Sequence, residues 1–114
     1  MQLDVYIGNS VHQVDINPEM IEDGHQLFDK MDRDMDAGWK MGPEFIENPN
    51  RLQRGQIAAS KLLVAIDTGN EPMAQAMASY ILSRLPEVRS INIDVNGEPL
   101  NTEMATDDGR SVTD

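Results

Sequence analysis

The dipeptide Asn17-Pro18 separates two hydrophobic rhythms, and no other feature constrains the fold of this chain as strongly. Before it, Leu3, Val5 and Ile7 alternate with polar residues, and so do Val14 and Ile16. A period of two marks strands with one buried face. Gly8-Asn9 lies between the runs and suits a two-residue turn with positive φ at its first residue. That register sets Leu3 opposite Val14 and Val5 opposite His12, so the apolar residues share one face. A three-residue loop would set Leu3 against Asp15 and spoil the pattern. After the dipeptide, Met20, Ile21, Gly24, Leu27, Phe28, Met31 and Met35 recur at three- and four-residue steps, one stripe of a helix turning about 100° per residue. Asn17 supplies the cap, Pro18 the first helical position, and Glu19 an acid where the helix dipole favours one. A β-hairpin over 2–16 and a helix from 18 to the low thirties are predicted.

Asn48-Pro49 repeats the cap-and-proline signal. It predicts a second helix to about Asp67, ended by Gly69, with a stripe of Leu52, Gly55, Ala59, Leu62, Leu63 and Ile66. Gly55 and Ala59 are small and allow a close approach. Ile57 and Val64 fall on the other side, so this helix is either buried nearly all round or meets a partner there. Asn70 predicts a third helix from Glu71 to Leu85, stopped by Pro86, with Met73, Ala74, Met77, Ala78, Ile81 and Leu85 inward. Residues 89–95 alternate again, with Ile91, Ile93 and Val95 on one side and Asn96-Gly97 as a turn. Between the first two helices, Pro43–Glu47 reads as one helical turn in a glycine-rich loop. The order implies an α+β domain over 1–98: an N-terminal hairpin, three helices and a C-terminal strand completing a three-stranded sheet with helices on one face.

The 114 residues are one domain's worth of chain, and 39% hydrophobic with 25% charged content is globular. There is no cysteine, which excludes disulfides, thiolate metal sites and cysteine nucleophiles. The formal net charge of −11 disfavours nucleic acid and anionic membranes as partners. No apolar run reaches the roughly 20 residues of a spanning helix, and the opening residues lack a signal-peptide pattern, so a soluble cytoplasmic protein is expected. The acidity concentrates in residues 19–47 and 98–114. The final stretch, 99–114, has no aromatic residue and little apolar period. It reads as a disordered acidic tail whose removal after Glu98 leaves the core intact.

Asp32-Arg33-Asp34-Met35-Asp36 is the sharpest chemical feature: alternating carboxylates followed by glycine can wrap a hard cation in oxygen ligands. With the preceding Leu27–Met31, residues 20–47 locally resemble an EF-hand calcium loop. The resemblance implies Asp32, Asp34 and Asp36 as calcium ligands, closed by Glu44. The sequence departs from that pattern: Ala37 stands sixth where glycine belongs, Trp39 eighth where an aliphatic residue belongs, and Pro43 twelfth, with Glu44 one place beyond. The competing reading continues the helix to Asp36, with Asp29, Asp32 and Asp36 on a solvated acidic flank. The two exclude each other, because an EF-type loop must break the helix at about Asp32.

Glu22, His25 and Asp29 share one helical flank, and Glu-x-x-His is the unit of di-iron bundles. Such sites need two of these units and two further glutamates, whereas this chain has two histidines, one of them in the hairpin. His25 is expected at the surface beside carboxylates and His12 at the edge of the core. No nucleophile elbow, phosphate loop or dinucleotide fingerprint is present, and no catalytic residue is assigned. Trp39, Met41, Phe45 and Ile46 form an apolar cluster among glycines and acids. Tryptophan dominates interface energetics and methionine suits adaptable contacts, so these four residues are the expected partner-binding site. The expected function is a small acidic binding or accessory protein meeting a basic protein surface there. A homodimer through Ile57 and Val64 is a second form of that expectation, and calcium binding the alternative function. Trp39 discriminates: half-exposed in a binding loop, fully buried in a loop that caps the core.

Overall fold

The computed structural model describes residues 1–113. β1 (Gln2–Ile7) and β2 (Ser10–Asp15) form the hairpin in the expected register, with Leu3 opposite Val14 and Val5 opposite His12. Gly8 takes φ of +59°, and nothing lies within 4 Å of where its Cβ would stand. Backbone conformation rather than lack of space therefore requires glycine.

The first predicted helix is two helices, α1 (Pro18–Asp23) and α2 (His25–Asp36), divided at Gly24. Asn17 caps α1 by accepting the Met20 N–H at 3.1 Å. The division has a packing cause. The Phe28 ring lies so close to Gly24 that a Cβ there would stand 2.4 Å from Phe28 Cζ. The hydrophobic stripe crosses the break unchanged, which is why periodicity alone reads as one helix. Phe28, Met31 and Met35 are the buried residues of α2.

Residues 43–47 do not form a helical turn. β3 (Trp39–Met41) and β4 (Glu44–Ile46) pair antiparallel as a separate two-stranded sheet. The cap of α3 (Arg51–Asp67) is Asn50, not Asn48: Asn50 accepts the Gln53 N–H at 2.8 Å, and the Gln53 side chain accepts the Asn50 N–H at 2.9 Å. α4 (Glu71–Arg84) is capped by Asn70 as expected. It packs against α3, α1 and β2, so it is buried on nearly every side and takes in Tyr80 as well as the expected stripe. Met73 departs from that stripe and is 44% exposed. Space at Gly55 is used by side chains rather than a backbone, because a Cβ there would stand 2.5 Å from Leu85 Cδ1 and 3.1 Å from Met104 Cε.

The largest correction concerns residues 99–113, which are ordered; Asp114, the last residue of the expected tail, lies outside the described residues. After a 3₁₀ turn at Pro99–Asn101, β6 (Glu103–Ala105) pairs antiparallel with β5 (Ser90–Ile93), Met104 facing Ile91. The chain then turns back, and the Val112 N–H donates to the Met104 carbonyl at 2.8 Å. Buried Gln56 on α3 donates to the carbonyls of Thr102 at 2.9 Å and Leu100 at 3.2 Å. Backbone pairing and two apolar side chains order this segment, where a helical or strand period of its own does not.

The protein is thus α+β, with four α-helices among the described residues and a mixed four-stranded sheet ordered β2-β1-β5-β6, β1 and β5 being parallel. Leu3, Val5, Val14, Ile91, Ile93 and Met104 point from one face of the sheet into a core that extends to Val112, while Gln2, Tyr6, Val11, Gln13 and Asn92 are exposed. No helix among the described residues is long and apolar enough to cross a membrane.

Two stability measurements check this architecture. Gly8→Val should destabilise the protein by about 1 kcal/mol or more, because a β-branched residue resists positive φ. Met104→Ala, expected to be silent if the tail were disordered, should cost about 2–5 kcal/mol through the cavity it leaves above Gly55. Urea unfolding curves read both.

Candidate functional site

Asp32, Asp34 and Asp36 all lie on α2, which runs unbroken through them to Asp36. The break that an EF-type loop requires is therefore absent, and each carboxylate already has a cation. Asp34 pairs with Lys30 at 2.8 Å, and that hydrogen bond lowers its pKa. Asp36 accepts from Arg54 Nη2 at 2.8 Å. Asp34 also points about 200° around the helix from Asp32, away from any shared ligand sphere. Glu44 is exposed on β4. The donor set does not fit a calcium ion, and no group of three or more His, Cys, Asp or Glu among the described residues is placed to hold a metal.

Asp32 instead joins three helices. Its carboxylate accepts the Tyr80 hydroxyl at 2.5 Å and Arg84 Nε at 2.9 Å, both from α4. Arg54 on α3 reaches the Asp32 carbonyl at 3.1 Å and is anchored by the Pro49 carbonyl at 2.8 Å. Arg84 also reaches Asp29 at 3.2 Å and lies over the Phe28 and Tyr80 rings, which meet edge to face. Burial pushes the Asp32 carboxyl up. The hydrogen bonds from Tyr80 and Arg84, with the charges of Arg84 and Arg54, outweigh it and hold the group below its ordinary value. Burial, then the bond to that carboxylate, push the Tyr80 phenol well above its usual range. A carboxylate held in this way by a phenol and a guanidinium from another helix is a structural clasp. Of this cluster, sequence reasoning singled out Asp29, Asp32 and Asp36 but missed Arg54, Tyr80 and Arg84, because nothing in local spacing reports a contact across 48 residues.

The histidines are apart. His25 is exposed at the start of α2 and separated from Glu22 by the Gly24 division. His12 is half-buried on β2 and lines a polar groove with Gly69 and Glu71.

The hairpin residues divide by strand parity. Met41 is buried in the core. Trp39, opposite Ile46, is half-buried, as is Ile46. Phe45 is 62% exposed on the other side, its ring lying over Gly38. The hairpin therefore both caps the core and presents a surface. Between it and α3 is an open groove of about 490 Å³. Trp39, Met41, Ile57, Val64, Ala65 and Met73 supply apolar lining, with Ser60, Thr68 and Asn70 as polar groups and Pro99 closing one side. Val64 is 61% exposed, whereas Ile57 is buried, so the pair does not form a free dimerisation stripe. The charged residues in the lining are Lys40 and Lys61; no carboxylate residue takes part, although a basic partner was expected at this loop. Lys61 Nζ lies 5.0 Å from the centre of the Trp39 ring. Sequence reasoning missed Lys61 and Thr68 as groove residues; the signal that could have found them is that with Ile57 and Val64 they fall on one helical flank.

The Asp32 clasp has a testable pH signature. Its folded-state pKa is depressed from 3.8, so its stabilisation is complete above that value and is lost as pH falls through the lower folded-state value. Asp32→Asn should cost about 2–3 kcal/mol at neutral pH, as expected for hydrogen bonds to a partly buried charge. The stability gap between wild type and variant should narrow below pH 3.8 in acid titrations followed by circular dichroism.

No family model matches this chain, and neither a curated protein nor a solved structure matches it, so the groove's own geometry carries the functional reading.

Proposed function

We propose that this protein is a small binding module that docks a partner protein through the groove between the Trp39–Ile46 hairpin and α3. One observation carries the reading: a concave apolar surface of about 490 Å³ with a half-buried indole in its wall and with Val64 and Met73 left exposed at its edge. Apolar side chains of that size are normally withdrawn into a core that has room for them. Here Val64 and Met73 stay exposed and lie together beside the half-buried indole, forming one concave apolar patch. Indole and thioether groups are suited to docking, because they give large contact area with little conformational entropy to lose. The hairpin that forms one wall is anchored through Met41, so the surface is held ready and needs little ordering on binding.

The role is that of an accessory or adaptor protein rather than an enzyme. The polar groups of the groove are two lysines, two hydroxyls and an amide, and both hydroxyls donate to backbone carbonyls of their own helix. Phe45 extends the contact surface on the outer side of the hairpin.

Val64→Asp tests the reading with little risk to the fold, since the side chain is exposed. A partner captured from extracts of the source cells by the wild type should be lost on Val64→Asp. Amide shift changes on adding that partner should map to β3 and the facing side of α3. Equal retention by both proteins, or shifts confined to the open face of the sheet, would reject the groove.

A further inference from the structure

The groove's charge is opposite to that of the molecule. Across a chain with 20 acids and 9 bases, four other surface grooves each carry a carboxylate residue in their walls. The apolar groove carries none, and its charged lining is Lys40 and Lys61. Elsewhere basic side chains are largely committed: Lys30, Arg51, Arg54, Arg84 and Arg110 form ion pairs. Among the described residues, neither Lys40 nor Lys61 does. Lys61 is held over the Trp39 indole at the edge of an apolar surface, and the charge of Asp34 on α2 acts on it without forming an ion pair.

Resting on the docking function above, we propose that the occupant is a short peptide segment of a partner protein that presents apolar side chains together with an aspartate or glutamate. The apolar side chains pack on Trp39, Val64 and Met73, and the carboxylate meets Lys61. Charge complementarity selects this class. A basic segment would bring like charges against the exposed ammonium groups of Lys40 and Lys61 at the rim of the groove, whereas an acidic side chain there meets two cations that make no ion pair among the described residues. The net negative charge of the whole chain adds a second filter. Extended acidic surfaces are repelled at long range, so a segment with one or two carboxylates is favoured over an acidic tract.

The test is a selection of short random peptides displayed on phage against the whole protein, with binding of enriched peptides followed by Trp39 fluorescence. The expected result is enrichment of peptides pairing Leu or aromatic residues with Asp or Glu. Replacing that acid by its amide should weaken binding by about tenfold or more, as loss of a charge-assisted contact does. Lys61→Arg should retain these peptides. Lys61→Glu, checked for native circular dichroism, should lose them and enrich Lys- or Arg-bearing peptides instead. Peptides that compete at the groove and are lost on Val64→Asp, yet carry no acid and ignore Lys61→Glu, would overturn this inference while leaving the docking function standing. Failure of any peptide to depend on Val64 would overturn both. Binding of dodecanoate to the groove, with no peptide reaching it, would assign the recess to a free anionic amphiphile and likewise overturn both.

Discussion

The carboxylate of Asp32 is the point on which the helical layer turns. It is fixed to α2, yet its two shorter hydrogen bonds come from α4, and Arg54 of α3 reaches both the carboxylate and the backbone carbonyl. Apolar packing is tolerant of small slides between helices, because dispersion contacts exchange one for another. A carboxylate shared by a phenol and a guanidinium is not tolerant, because each bond has a direction. The clasp therefore fixes how α2 lies on α3 and α4, and through α2 it fixes where the chain emerges at Gly38 to begin the hairpin. The groove's wall is set at one remove by an interaction that takes no part in the groove. Of the acids that suggest a cation site in the sequence, Asp32 and Asp36 are thus paired with arginines and Asp34 with Lys30, which supply the positive charge a metal would have brought.

What the sequence reveals and what it hides follow the range of the forces involved. The hairpin register, the caps at Asn17 and Asn70, and the positive φ at Gly8 are local, and local residue types report them faithfully. The division at Gly24 is hidden because it preserves the hydrophobic period; only the glycine hints at it, and its cause is a ring four residues away. The strand at Glu44–Ile46 is hidden because three residues carry no period. The C-terminal segment misleads for a different reason. Its ordering comes from a free edge on β5 and from Gln56, neither of which is visible within the segment. At the candidate site, Trp39 and Val64 were legible as apolar residues without an obvious core position. Their meeting across a single groove was not, since it depends on the hairpin folding back against α3. The charge of that groove was legible least of all: the surrounding sequence is acidic, and the two lysines stand out only when the lining is assembled.

The hairpin shows how a small protein can hold an apolar surface in water without losing it to the core. Trp39 and Met41 share one face of β3; Met41 is buried in the core as an anchor, and Trp39, two residues away, lies at its margin. The ammonium of Lys61 above the indole keeps the margin wet on one side. Anchor and aromatic stand on one short strand, and the charge reaches over the aromatic from α3.

The parallel pairing of β1 with β5 imposes an order in time as well as in space. β1 is an inner strand of the sheet, but the neighbour on its second side is separated from it in sequence by every helix of the protein. The N-terminal hairpin can close early, since its contacts are local. Its apolar face and one row of its backbone groups then wait, unpaired, until β5 arrives. Closure of so long a loop slows folding, and the half-built sheet exposes an edge to other chains meanwhile. On a ribosome that interval spans the synthesis of all four α-helices between β2 and β5. The helices made in between can cover the apolar face of the waiting hairpin, but only β5 can complete the ladder.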